Sequence, residues 1–398
     1  MIDIIITADY EIFGNGTGDV VHCLVKPTEK LLEICDAYGA KLTLFFEIVE
    51  YWAFKEAARK GRLNSYDSPA AHLMEQQAVA AVQREHDVQL HIHPQWLGAE
   101  YTDQGWQLNM DYWSLPKVPH GLGEFGDIFS LRGLLSRGKE DLEAMLTPYD
   151  RDYLCLALRA GGWCIQPVHD VITAMKNVGL LADSSVFKGG YLQEKPYHID
   201  FRAAYSSCLP WRAHPEDINR PAAADMEKNT IWEMPIFALQ KPRLNWLGFE
   251  RLRKRLTTAG RGLPPGCRGV WDAQDKWPAQ GLTVAAYFRY MLAPEVKQWD
   301  YSTLTSGELW EFFEYFLKNH YSEDRYVPLV MTGHPKLLGS TKEIDSFLRR
   351  LTKHRLFSQG KIQFVSMQNA VKKLTDGYPK QRQNDKPADD SNARRETV

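Results

Sequence analysis

No apolar run in this 398-residue chain is long enough to cross a bilayer. The opening MIDIIITADYE carries no basic stretch and no cleavage site. It reads as a first strand, and the chain as cytoplasmic. Charge of one sign is missing too. A formal net charge of −2, with no basic run interleaved with aromatics, leaves no case for a nucleic-acid surface. Cysteine is sparse: the six are scattered with no CxxC pair, which excludes a zinc knuckle and reads as reduced, mostly buried thiols. No GxSxG elbow surrounds Ser184, so a serine nucleophile is not expected. The glycines of Gly14-Asn15-Gly16-Thr17-Gly18 lack dinucleotide-binding spacing and read as a turn. No internal repeat is present.

What is abundant is aromatic: 12 % of the chain, including 12 Trp, which suits a well-packed enzyme and is compatible with sugar stacking. Apolar, often β-branched runs at 2–8, 41–46, 87–93, 153–158, 231–236, 326–331 and 361–365 read as buried strands. Helical spacing marks 27–38, 68–85, 139–149, 166–178, 305–321, 340–352 and 367–374, with weaker candidates at 247–256 and 283–292. This alternation predicts a distorted (β/α) barrel of about seven parallel strands in one domain, residues 1–375. Irregular stretches at 97–135, 187–230 and 241–325 read as insertions, and 376–398 as a disordered polar tail. The aromatic stretch 97–135 is expected to cover the site and to offer Trp106 or Trp113 to a sugar.

The chemistry collects just after the strands. His91 and His93 stand at i and i+2, so they point to one face of a strand that Pro94 stops. Two imidazoles fixed side by side suit a divalent metal, with zinc the expected ion. Asp9 and Glu11 share a face at the end of the first strand; one would complete the metal shell and the other would take a proton from water. Arg159 would keep that base ionised. His334 would protonate a leaving group, with Asp183 holding it charged. Plainer roles exist for each: Arg159 as a structural ion-pair partner, Asp183 as a turn cap, His334 as a turn residue. Glu47 and Glu233 also stand on strands but read as structural.

The same residues resemble the polysaccharide deacetylase (NodB-homology) family. Thr7-Ala8-Asp9-Tyr10-Glu11 falls on its first motif, with Tyr10 where a second Asp is usual. Thr43-Leu44-Phe45-Phe46 matches its second strand, and the stretch from His86 to His91 its His motif. Gln95 stands where that motif's second His falls, and His93 comes two residues early. Arg159-Ala160-Gly161-Gly162-Trp163, Asp183-Ser184-Ser185-Val186 and the His334 of TGHP follow in order. The resemblance covers about 1–240 and 325–375. It implies a barrel hydrolase that removes N- or O-acetyl groups from a carbohydrate or glycan precursor. By that likeness Glu11, His91 and His93 hold the metal, and Asp9, Arg159, Asp183 and His334 are catalytic. Trp96 and Trp163 are the expected substrate contacts. Two other classes stay open: a glycoside hydrolase using Asp9 or Glu11 with Glu233, and a catalytically inactive carbohydrate-binding relative.

Overall fold

The computed structural model describes residues 1–63, 69–246, 289 and 291–377. Its first strand, β1 (Ile2–Tyr10), is buried along its whole length, as a continuous apolar run requires when both faces are covered. Nine further strands join it in one sheet: β2 (Leu42–Glu47), β3 (Asp87–Ile92), β4 (Ala157–Ala160), β5 (Ala182–Asp183), β6 (Trp211–His214), β7 (Asp217–Pro221), β8 (Trp232–Glu233), β9 (Val327–Met331) and β10 (Ile362–Phe364). The order across the sheet is β7-β6-β8-β5-β4-β3-β2-β1-β9, with β10 also on β1. From β8 to β9 every pairing is parallel; β6 pairs antiparallel with both β8 and β7.

β1 serves three partners. One edge pairs Ile2–Ile6 with β9; the other gives Ile2–Ile4 to β10 and Ile6–Tyr10 to β2. The two ends of the parallel run also meet. Past β8, Ile236 bridges Val330 of β9 in parallel, and the Phe237 amide donates to the Val330 carbonyl at 3.0 Å. The sheet is therefore curled and mostly parallel, a mixed α/β architecture of barrel-like form.

Helices cover the sheet: α1 (Lys26–Ala37), α2 (Ile48–Arg59), α3 (Ala70–Gln83), α4 (Leu131–Leu146), α5 (His169–Val178), α6 (Ser306–Asn319), α7 (Lys342–Leu351) and α8 (Met367–Thr375). Their ends follow local chemistry. Thr305 and Glu308 form a capping box at α6, and Gly179 stops α5 at φ 75°. α2 is capped by Glu47 from the strand before it.

Three expectations change. Residues 97–135 are not structureless: they hold a short hairpin, Glu100–Thr102 with Gly105–Gln107, and α4 already begins at Leu131. Residues 187–230 contain β6 and β7, which extend the sheet; their short alternating pattern leaves no long apolar run to read. Cys23 is disulfide-bonded, which corrects the reading of all six cysteines as reduced; linear spacing does not reveal pairing. Cys35, Cys155 and Cys164 are buried thiols, pushed up by burial to about 12, 12 and 11, and so are unreactive. The helix candidate 247–256 and the tail beyond 377 lie outside the described residues, as does most of 283–292.

Candidate metal centre and active site

Parallel register sets up the site. Glu47 lies opposite His91, and His91 opposite Arg159, so one row crosses β2, β3 and β4. Side chains in such a row share a face. β1 contributes Asp9 and, just past its end, Glu11. The Asp9 amide donates to Gly333 O at 2.9 Å, which brings the segment after β9 alongside.

Two buried clusters result. In the first, Glu11 Oε2 lies 2.6 Å from His93 Nε2 and 3.4 Å from His91 Nε2. Its other oxygen, Oε1, accepts from Lys336 Nζ at 2.7 Å, and Lys336 also donates to Ile12 O at 2.9 Å. His91 Nδ1 donates to Arg159 O at 2.8 Å, which leaves Nε2 bare on the side of Glu11. The Gln95 side-chain amide sits 2.8 Å from His93 Nδ1. The residue at the usual second-His position thus orients the early His. Glu47 Oε2 is buried without a partner, and His91 Nε2 and His93 Nε2 are buried with no partner but the Glu11 carboxylate. One donor atom each from Glu11, Glu47, His91 and His93 lies within 4.8 Å of the others. Two imidazoles and carboxylate oxygens converging on one point are a fitting donor set for a divalent cation.

In the second cluster, Arg159 Nη1 lies 2.5 Å from Asp9 Oδ1, and His334 Nε2 lies 3.4 Å from Asp9 Oδ2. Arg159, 0 % exposed, also donates to Thr7 Oγ1, Ser184 O and Ser184 Oγ at 3.0, 2.8 and 3.1 Å and covers the Phe45 ring at 4.0 Å. Burial would raise the Asp9 carboxyl, but the charges of Arg159 and His334 hold it well below the usual carboxylate range. For His334 burial pulls downward, and Asp9 outweighs it, so the imidazole rises above its ordinary value. Burial likewise opposes ionisation of Glu11, yet His93 and Lys336 hold it well below. Lys336 also acts on Glu50, but burial and the Glu11 charge outweigh it. Burial and neighbouring carboxylates push Glu47 and Glu50 both well above.

A small cavity opens onto both clusters, with Asp9, Glu11, His93, His334 and Lys336 in its lining. Its aromatic wall is Trp113, Trp163 and Tyr197. Trp113 meets His93 at 5.4 Å and Tyr197 at 5.0 Å; Trp163 meets His334 edge-on at 6.1 Å. The glycines before Trp163 are required: a Cβ on Gly161 would meet the His93 ring at 2.4 Å. Trp163 itself adopts φ 59°, a strained value for a bulky residue, and this conformation accompanies its place in the wall.

The structure brings Asp9, Glu11, His91, His93, Arg159, His334 and Trp163 together. Two expected residues go elsewhere. Asp183 does not pair with His334. Its oxygens accept from the Ser185 amide at 2.9 Å and hydroxyl at 2.8 Å, and β5 sets it against Glu233 of β8. Trp96, 2 % exposed, packs on Phe54 and Trp106 in the core and is not part of the cavity wall. Trp106 is absent from that wall too; Trp113 takes the position. Lys336 went unrecognised, although its spacing from His334, i and i+2, is the signal that identified the His pair. Nothing in the sequence singles out Tyr197.

No family model and no curated protein matches the sequence. Solved structures do match at low identity. A candidate polysaccharide deacetylase from Mycobacterium smegmatis has 11 % identity and a TM-score of 0.42, over 94 % of this chain and 90 % of that one. The Puue allantoinase has 11 % and 0.42, over 96 % and 92 %. A candidate polysaccharide deacetylase from Pseudomonas aeruginosa PAO1 has 11 % and 0.43, over 96 % and 93 %. A likeness this distant decides nothing about activity.

Proposed function

We propose that this chain is a metal-dependent hydrolase that removes an acetyl group, N- or O-linked, from a carbohydrate. In this reading it is a single distorted (β/α) barrel domain over residues 1–375. One observation carries the reading: His91 and His93, whose Nε2 atoms meet no partner but the Glu11 carboxylate, lie beside a buried Arg159–Asp9–His334 chain, and Asp9, Glu11, His93 and His334 line one cavity. Glu11, His91 and His93 would hold the cation, with zinc the proposed ion. A bound divalent cation supplies Lewis-acid polarisation of the acetyl carbonyl and lowers the pKa of water.

The chain's own groups do the rest. Asp9, held ionised by Arg159, accepts the proton of the attacking water. His334, held protonated by Asp9, gives a proton to the leaving nitrogen or oxygen. Lys336 fixes Glu11 through one oxygen and leaves the other for the cation. Trp113, Trp163 and Tyr197 offer the apolar faces that sugar rings stack on. Asp183 acts behind this front, ordering the Ser184–Ser185 segment that receives Arg159.

The glycoside hydrolase alternative draws no support from the geometry. Glu233 is fully buried against Asp183 and is not part of the cavity lining. Among the described residues, no helix is long and apolar enough to cross a membrane.

Elemental analysis tests the metal. Purified wild type is expected to carry about one zinc per chain, and His91→Ala to lose it; undiminished metal in the variant would remove His91 from the site. Acetate release from acetylated sugars, abolished by a chelator and restored by metal, is the matching activity. New reducing ends without acetate would overturn the reaction class. For the wall, Trp113→Ala is expected to raise KM by up to about tenfold, the scale of one lost aromatic contact, with metal content intact. An unchanged KM would take Trp113 out of substrate binding.

A further inference from the structure

We propose that Glu47 is a fourth protein ligand of the cation, an inference that rests on the metal-dependent reading of the site. Its two carboxylate oxygens do different work. Oε1 accepts from the amides of Val49 and Glu50 at 3.0 and 3.4 Å and so caps α2. Oε2 is fully buried and has no partner.

Nearby donors are already committed. Lys336 spends its contacts on Glu11 Oε1 and Ile12 O. The Ile12 amide goes to Glu50. A buried carboxylate oxygen without a partner is costly. Glu47 Oε2 lies in one cluster with Glu11 and with the Nε2 atoms of His91 and His93, which meet no partner but the Glu11 carboxylate. Register explains the convergence, since Glu47 faces His91 directly across β2 and β3. A single divalent cation satisfies all three atoms at once, and the two carboxylates match its charge.

The coordination number follows. Three protein ligands leave a tetrahedral ion one open position. Four fill it, so an ion that also meets water or substrate here takes five ligands or more. The cation is also tied, through one carboxylate, to the first turn of α2.

Cobalt(II) added to the metal-free full chain reports both points. Its d–d absorption is strong in four-coordinate sites and weaker as ligands are added. Wild type is expected to show the moderate absorption of five ligands. Glu47→Gln keeps an oxygen for the α2 cap and removes the anionic ligand. It is expected to bind cobalt more weakly by over about a hundredfold, beyond the 10–100-fold of outer-shell changes, with stronger absorption. Glu47→Asp, which keeps the charge but draws it back, should fall between. Metal-free wild type and Glu47→Gln should melt alike, which excludes a folding defect. If Glu47→Gln binds cobalt with unchanged affinity and spectrum, Glu47 is a cap only and the proposal fails while the metal-dependent reading stands. If wild type binds no cobalt, that reading fails and this proposal with it.

Discussion

Asp9→Asn is expected to lower kcat by about 10²–10⁴-fold, the range for a positioned acid–base group, with metal content unchanged. A carboxylate held as low as Asp9 is a weak base in the Brønsted sense. Its value lies in being ionised and fixed: burial opposes the charge, but Arg159 and His334 outweigh burial. The variant should therefore alter the pH profile as well as the rate. In wild type His334 keeps its proton above the ordinary imidazole value, because Asp9 outweighs burial, and activity falls as pH rises through that raised value. With Asn at position 9 burial prevails, and the alkaline limb moves to lower pH. A slower enzyme with an unmoved alkaline limb would mean that another group supplies the proton.

The same pair links stability to pH with opposite signs. Asp9, lowered in the folded state, contributes above its unfolded value, and this is lost as pH falls through the folded one. His334, raised in the folded state, contributes below its unfolded value, and this is lost as pH rises through the folded one. Both contributions are present together only between those limits.

Arg159→Met is expected to cost about 3–5 kcal/mol in urea unfolding, the cost of breaking a buried pair from one side. The Asp9 carboxylate would stay buried at 2 % exposure without its nearer cation, with only His334 beside it. Thr7 Oγ1 and both oxygens of Ser184 would lose a donor. Lysine should not rescue the position, because one ammonium cannot serve partners spread around a planar fork. The double variant Asp9→Asn/Arg159→Met should recover part of the loss, since no buried charge is then left alone. A cost below about 1 kcal/mol, the level of an exposed pair, would contradict the burial of this pair.

Much of this was legible in the sequence because buried parallel strands read as apolar runs. Residues 2–8, 41–46 and 87–93 correspond to β1, β2 and β3 within two residues, and the His91/His93 spacing follows from strand alternation alone. What failed depends on sheet order. Asp183 ends β5 and His334 follows β9, and β8 with its continuation to the Ile236–Val330 bridge stands between them. Chain order does not say which strand ends meet. Trp96 failed for another reason: it lies just past the His pair in sequence, but a short 3₁₀ turn at Pro94–Trp96 aims it into the core. Glu47 was visible as a strand-end acid; that one of its oxygens is a helix cap and the other unpartnered needs three dimensions.

The position of β1 also governs the order in which the chain can be completed. Its β2 edge becomes available within a few dozen residues, but β9 lies 325 positions later at the Ile2–Val327 pair. At a ribosomal speed of about 5–20 residues per second, that partner emerges roughly 15–60 s after the first strand. Throughout that interval a nine-residue apolar strand, IDIIITADY, has one edge exposed to any other extended segment. Asp9, the proposed base, is carried on this waiting strand. Conditions that slow synthesis should therefore lower the yield of active protein through aggregation of nascent chains, well before they affect the molecules already folded.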